Sequence, residues 1–247
     1  MKLFKTMLKT QLKLAIREID GILFGILFPI GIVLLLGFIY GDKPAFDGAN
    51  FTMIQLSFGA FISVGICATG LMGLPLSISD FRSKKILKGL KVTPISPINI
   101  LMIQMLIGFI ISVISALAVF IVAKFLFGYV MIGSGMKFIP TFILVTTAIY
   151  SIGMLIASLV PNIKVANLVC TLVYFPMVFL SGATIPYEIF PKGLQVVADI
   201  MPLTQGIKLM KGVSLGEPLN NIAIQLILMI AISIVCITVS IKTFKWE

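Results

Sequence analysis

The stretch FLSGATIPYEIFPKGLQVVADIMPLTQGIKLMKG, Phe179–Gly212, interrupts a chain that is otherwise almost continuous apolar sequence. Pro186, Pro191 and Pro202 punctuate it, and Pro218 follows just beyond. The two pieces they delimit, 187–201 and 203–211, are amphipathic. Neither is apolar enough or long enough to cross a bilayer, which takes about 20 apolar residues. Something folded therefore sits between two membrane spans.

Composition fixes the class around it. With 59% hydrophobic and 11% charged residues in 247, and a mean hydropathy of +1.15, the chain is far more apolar than soluble domains. It reads as an all-α integral membrane protein, a single domain over 1–247. Segments of about 20 apolar residues without a charge fall near 21–40, 52–79, 98–123, 138–160, 164–181 and 220–241, which predicts six transmembrane helices. Pro29, Pro75 and Pro176 lie within these segments and are expected to kink them. A net charge of +10 with no histidine raises nucleic-acid binding. The basic residues, however, stand at the ends of apolar segments rather than in one basic-aromatic patch, so no nucleic-acid partner is expected. Cys67, Cys170 and Cys236 lie in apolar runs with no CxxC and no histidine, and no metal site is predicted.

In 1–20, Lys2, Lys5, Lys9, Lys13 and Arg17 recur every three to four residues between apolar positions. That spacing predicts an amphipathic helix lying on the membrane surface, in contact with lipid. No small-residue cleavage site follows the apolar run 21–40, so it is read as a retained first span rather than a signal peptide. If the N-terminus is cytoplasmic, thirteen of the nineteen Lys and Arg residues fall on the inner side. The positive-inside bias thus predicts both termini inside and Phe179–Gly212 outside.

The second informative stretch is the inner loop 80–96 between spans two and three. Asp80 is expected to cap a short helix, Ile86, Leu87 and Leu90 to give it one apolar side, and Pro94 to end it. Ser96–Pro97 reads as the N-cap and first-turn proline of span three. Such a helix is suited to being pushed by a cytoplasmic partner; an ordinary positive-inside loop has the same composition.

Three features together carry a resemblance: the basic amphipathic N-terminal helix, the run Leu87, Leu90, Val92, Thr93, Pro94, Ile95, Ser96 after charged residues, and Ser181-Gly182, Pro186, Pro191 and Pro202-Leu203-Thr204 before span six. Over essentially its whole length the chain resembles the membrane subunit of ABC type-2 transporters, the permeases of type V exporters. The resemblance implies a coupling helix, with Asp80, Arg82, Lys84, Leu87, Leu90, Thr93 and Pro94 facing a cytoplasmic ATPase dimer. It also implies a re-entrant helix pair over 182–212, with Ser181, Gly182, Pro186, Pro191 and Pro202 forming an extracytoplasmic gate. Relatives often carry an arginine near its end, where this chain has Lys208 and Lys211, and the two side chains are not equivalent at a bidentate contact. Tyr187 and Phe190 suit a membrane interface.

No GxxxxGK[ST] phosphate loop occurs, so no catalytic residue is assigned, and ATP and Mg are expected on the partner ATPase rather than on this chain. No acidic residue stands at mid-span, which disfavours ion-coupled transport. Six helices make a thin bundle, and a second copy, identical or related, is expected to complete the path. Gly59, Gly65, Gly70 and Gly73 in span two are read either as contacts to that copy or as packing within the chain. The expected function is ATP-driven export of a hydrophobic or amphipathic cargo such as a drug, antimicrobial peptide or lipid. Lipid-linked glycan export, and a non-transporting scaffold or immunity role, are the alternatives.

Overall fold

A computed structural model describes residues 2–15, 17, 19–41, 43–46, 48–91 and 96–244. The helix Lys2–Ala15 comes first and makes contact with span three. Six helices long and apolar enough to cross a membrane follow: span one, Leu23–Tyr40; span two, Met53–Ser83; span three, Ile98–Phe127; span four, Gly135–Leu159; span five, Ile163–Leu180; and span six, Asn220–Thr243. Their starts are set by local chemistry. Thr52 and Gln55 form a reciprocal capping box at span two, and the Ser96 hydroxyl accepts from the Asn99 N–H at 3.3 Å one residue before Pro97. The Asn162 side chain likewise accepts from the Val165 N–H at 3.0 Å.

Spans two and four are the hub. Their apolar windows are 78% and 67% buried, against 17–28% in the other four spans, which present apolar faces outward. Two prolines, Pro29 in span one and Pro75 in span two, shape the crossing of these helices. A proline has no N–H to donate and crowds the carbonyl four residues back. Immediately before Phe28-Pro29 and Leu74-Pro75 the helix widens into π-turns, Leu23–Leu27 and Ala68–Gly73, in place of a sharp kink.

The two wide turns lie side by side, and small residues let them. A Cβ on Gly25 would come 2.8 Å from the Thr69 methyl, and one on Gly65 would come 2.8 Å from the Gly25 carbonyl. Of the four span-two glycines, Gly59 abuts Met210, Gly65 abuts span one and Ser115, and Gly70 abuts Ile149 and Tyr150. These three pack within the chain. At the same level Tyr150, Thr69 and Ser112, from three different spans, join their hydroxyls in a buried triangle, with Ser112 3.0 Å from Tyr150 and 3.2 Å from Thr69. Each satisfies the others where lipid offers no partner.

Candidate functional site: the cap cavity and the basic end

The interruption after span five folds as a 3₁₀ turn, Tyr187–Ile189, a first cap helix, Lys192–Ile200, and a second cap helix, Pro202–Leu215. Gly182 makes the turn into it with φ +85, and an added Cβ would stand 3.0 Å from the Tyr187 Cβ, so the position needs glycine. Pro186 precedes the 3₁₀ turn, Pro191 precedes the first cap helix, and Pro202 occupies the first turn of the second, where a missing N–H costs nothing. The two helices differ in burial. Ala198 is the one buried residue of the first, whereas the second buries Leu203, Thr204, Gly206, Ile207, Leu209, Met210, Gly212, Val213 and Ser214 against spans two, four and six. The second cap helix is a plug set into the bundle.

Polar contacts tie the two together. Lys208 donates to Asp199 at 2.6 Å and lies 4.1 Å above the Tyr187 ring centroid, while the Tyr187 hydroxyl donates to the other Asp199 oxygen at 3.1 Å. Burial pulls the Lys208 ammonium toward losing its proton, but Asp199 and Tyr187 outweigh it and leave its pKa above the ordinary 10.5. Lys211 forms an ion pair with Glu188. Both lysines thus make point contacts that need no guanidinium fork. Phe190, expected at an interface, is buried under the cap, while Tyr187 is half-buried beneath Lys208.

Beneath the cap is a cavity of about 440 Å³, lined by Leu56, Ser57 and Ala60 of span two, Ser181, Gly182, Pro186, Tyr187, Thr204, Lys208, Lys211, Glu217, Gln225 and neighbours. Ser181 Oγ, Thr204 Oγ1 and Gln225 Oε1 are buried there without a hydrogen-bond partner in the chain. An unmet buried polar atom costs about 1–3 kcal/mol. Those three atoms have almost no accessible surface themselves; the polar groups the cavity presents are the partly exposed side chains of Glu188, Lys208 and Lys211. Of the expected gate residues, Ser181, Gly182 and Pro186 line it, whereas Pro191 and Pro202 frame the helices around it.

The basic loop lies at the other end of span two. Asp80 does not cap a short helix. Span two continues to Ser83, Asp80 pairs with Lys84 one turn on at 2.7 Å, and the break comes at Lys85, whose φ of +58 ends the helix. The helix Ile86–Lys91 follows, with Leu87 fully buried and Ile86 40% exposed. Leu87 is therefore a packing residue, and among the described side chains Ile86 is an apolar one presented outward. Arg82 also points inward. It is 8% exposed, and its guanidinium donates to the carbonyls of Val160 and of Ala157, the latter at 3.3 Å. The side chain of Leu90, with Thr93 and Pro94, lies outside the described residues.

Six apolar spans, four of them around a buried hub of two, define a multi-pass membrane protein. The chain belongs to the ABC-2 type transporter family, whose model matches residues 2–215. It is similar to the nodulation protein J of Bradyrhizobium diazoefficiens, 27% identical over 195 residues covering 76% of this chain and 74% of the relative. It is also similar to the nodulation protein J of Rhizobium leguminosarum bv. viciae and of Rhizobium meliloti, each 33% identical over 88 residues. Those two matches cover 36% of this chain and 34% of each relative, so the chain spans about a third of their length.

Proposed function

We propose that the chain is the permease subunit of an ATP-driven exporter. A cytoplasmic ATPase dimer, holding ATP and Mg, closes against the basic end, and cargo leaves past the cap. Thirteen of nineteen basic residues on the basic-end side support that end as cytoplasmic. A second copy of the chain, or a related one, faces it across the path. The observation that carries this reading is the cavity beneath the cap, at the far end of span two from the helix Ile86–Lys91.

The cargo is amphipathic. The spans offer it apolar surface, while the cavity offers the polar side chains of Glu188, Gln195, Lys208 and Lys211. That polar lining favours a head group that gives and takes hydrogen bonds, and so keeps a lipid-linked glycan beside the drug, peptide and lipid readings. A scaffold or immunity protein would need neither the cavity nor an ATPase.

Ile86 supplies the test. In a mild-detergent pull-down from native membranes, the unsubstituted chain is expected to bring down a separate ATP-hydrolysing subunit. Ile86→Glu should lose most of it while inserting normally, because the side chain is exposed and leaves the core untouched. Recovery of the chain alone, without hydrolysis, would rule the permease reading out.

A further inference from the structure

The basic end carries a buried clasp that joins three spans. Arg82 stands in the last turn of span two, just before the Lys84–Lys85 break. Its guanidinium reaches carbonyls at the end of span four, Ala157 within the helix and Val160 at its C-cap, 75 and 78 residues away in sequence. A cation there satisfies carbonyls that the helix leaves unpaired and meets the negative end of its dipole. At the same turn, span four is tied in turn to span six: Ser158 and Ser240 share a hydrogen bond at 2.8 Å, and Ser240 donates to the Met154 carbonyl at 3.0 Å. Spans two, four and six are the same three helices that grip the second cap helix at the opposite end.

We infer that Arg82 is a positioning residue for transport, the link by which displacement of the helix Ile86–Lys91 moves the ends of spans two, four and six as one body and so shifts the plug over the cavity. This rests on the permease reading. A surface role for Arg82 toward the ATPase does not fit its geometry, because the guanidinium is directed at span four and the side chain is almost wholly enclosed. Lysine at this position keeps the charge but offers a single ammonium in place of a fork that spans two carbonyls. Lys84, at the same break, is by contrast exposed and paired with Asp80 on its own helix.

The experiment uses the chain co-purified with its ATPase in liposomes, with Cys67, Cys170 and Cys236 changed to Ala and Gln225→Cys placed in the cavity wall. Three quantities are read: the amount of ATPase retained, the basal rate of ATP hydrolysis, and the rate at which a small hydrophilic thiol reagent labels the cavity cysteine without nucleotide and with ATP and vanadate. With Arg82 present, nucleotide should change the labelling rate by about fivefold or more, the lower end of typical site-to-site coupling. Arg82→Gln should keep ATPase binding and hydrolysis but reduce the change to less than about twofold, with Arg82→Lys in between. A merely structural arginine would instead lower assembly and hydrolysis together. Ser240→Ala removes one hydroxyl from the same clasp, is too small a change to unfold the bundle, and should blunt the response even if Arg82→Gln fails to insert. A full response in Arg82→Gln, or in Ser240→Ala where Arg82→Gln does not insert, overturns the inference and leaves the permease reading standing. Failure of the unsubstituted chain to bring down any ATPase overturns both.

Discussion

Gly153 faces the carbonyl oxygen of Gly70, where a Cβ would stand 2.0 Å away, and the obstacle is backbone rather than a side chain that can swing aside. The crossing of the two hub spans depends on that missing atom. Gly153→Ala should force the helices apart beside the Tyr150 triangle and cost about 1–3 kcal/mol, as overpacking does. Gly31→Ala is the matched control: nothing lies within 4 Å of its added methyl, and alanine is the better helix former. In a thermal stability assay in detergent, Gly153→Ala should melt clearly below the unsubstituted protein and Gly31→Ala at or above it. Equal melting of the two would show that the hub tolerates a wider crossing. Residue-scale features of this kind are the least visible in sequence. The span-two glycines can be listed from their spacing, but which of them meets a partner, and which partner, is decided by contacts with residues far away in the chain, from Pro29 beside Gly65 to Met210 beside Gly59. Arg82 is the sharper case. In sequence it is one of five basic residues in a loop, and its inward aim depends on carbonyls at Ala157 and Val160 that no local pattern announces.

At the scale of elements the sequence was far more legible, because length and hydropathy alone select the spans and prolines and caps set their starts. The six expected segments and the six observed agree to within a few residues at most ends, the main exceptions being the later ends of spans two and three. What hydropathy hid was asymmetry within the cap, since two amphipathic pieces of similar composition became one exposed helix and one buried plug. The contacts holding them together make a further prediction. Lys208 is 29% exposed and Asp199 45%, so the ion pair is partly screened, and with the Tyr187 ring it contributes on the order of 1 kcal/mol. Lys208→Met should therefore loosen the cap and speed labelling of a cysteine at position 225 by about fivefold. The pH dependence has a definite sign. The Lys208 pKa lies above its ordinary value, so the contact is fully present below that value and lost only as pH rises through the higher one. Labelling, corrected for the titration of the thiol itself, should be flat from about pH 6 to 9. A rise within that window would mean that Lys208 does not hold the cap.

For the whole molecule, the decisive fact is where the cavity stops. Its lining comes from the start of spans two and six and from the cap, while deeper in the bundle Ile66, Leu71 and Tyr150 are fully buried. The buried side chains of the hub thus stand across the middle of one chain, between the cavity and the helix Ile86–Lys91. The four outer spans, by contrast, leave most of their residues unburied, enough to face lipid on one side and a second bundle on another. A path between two copies would bring two caps together at its exit and two helices Ile86–Lys91 together at its entrance, matching an ATPase dimer with a permease dimer. The chain weighs 26.8 kDa. Native mass measurement of the purified complex, released from detergent in the gas phase, should find two permease chains for every two ATPase chains. A single permease chain with its ATPase, still active in export after reconstitution at one chain per vesicle, would require the hub of spans two and four to open, and the Gly70–Gly153 contact would then have to part during transport.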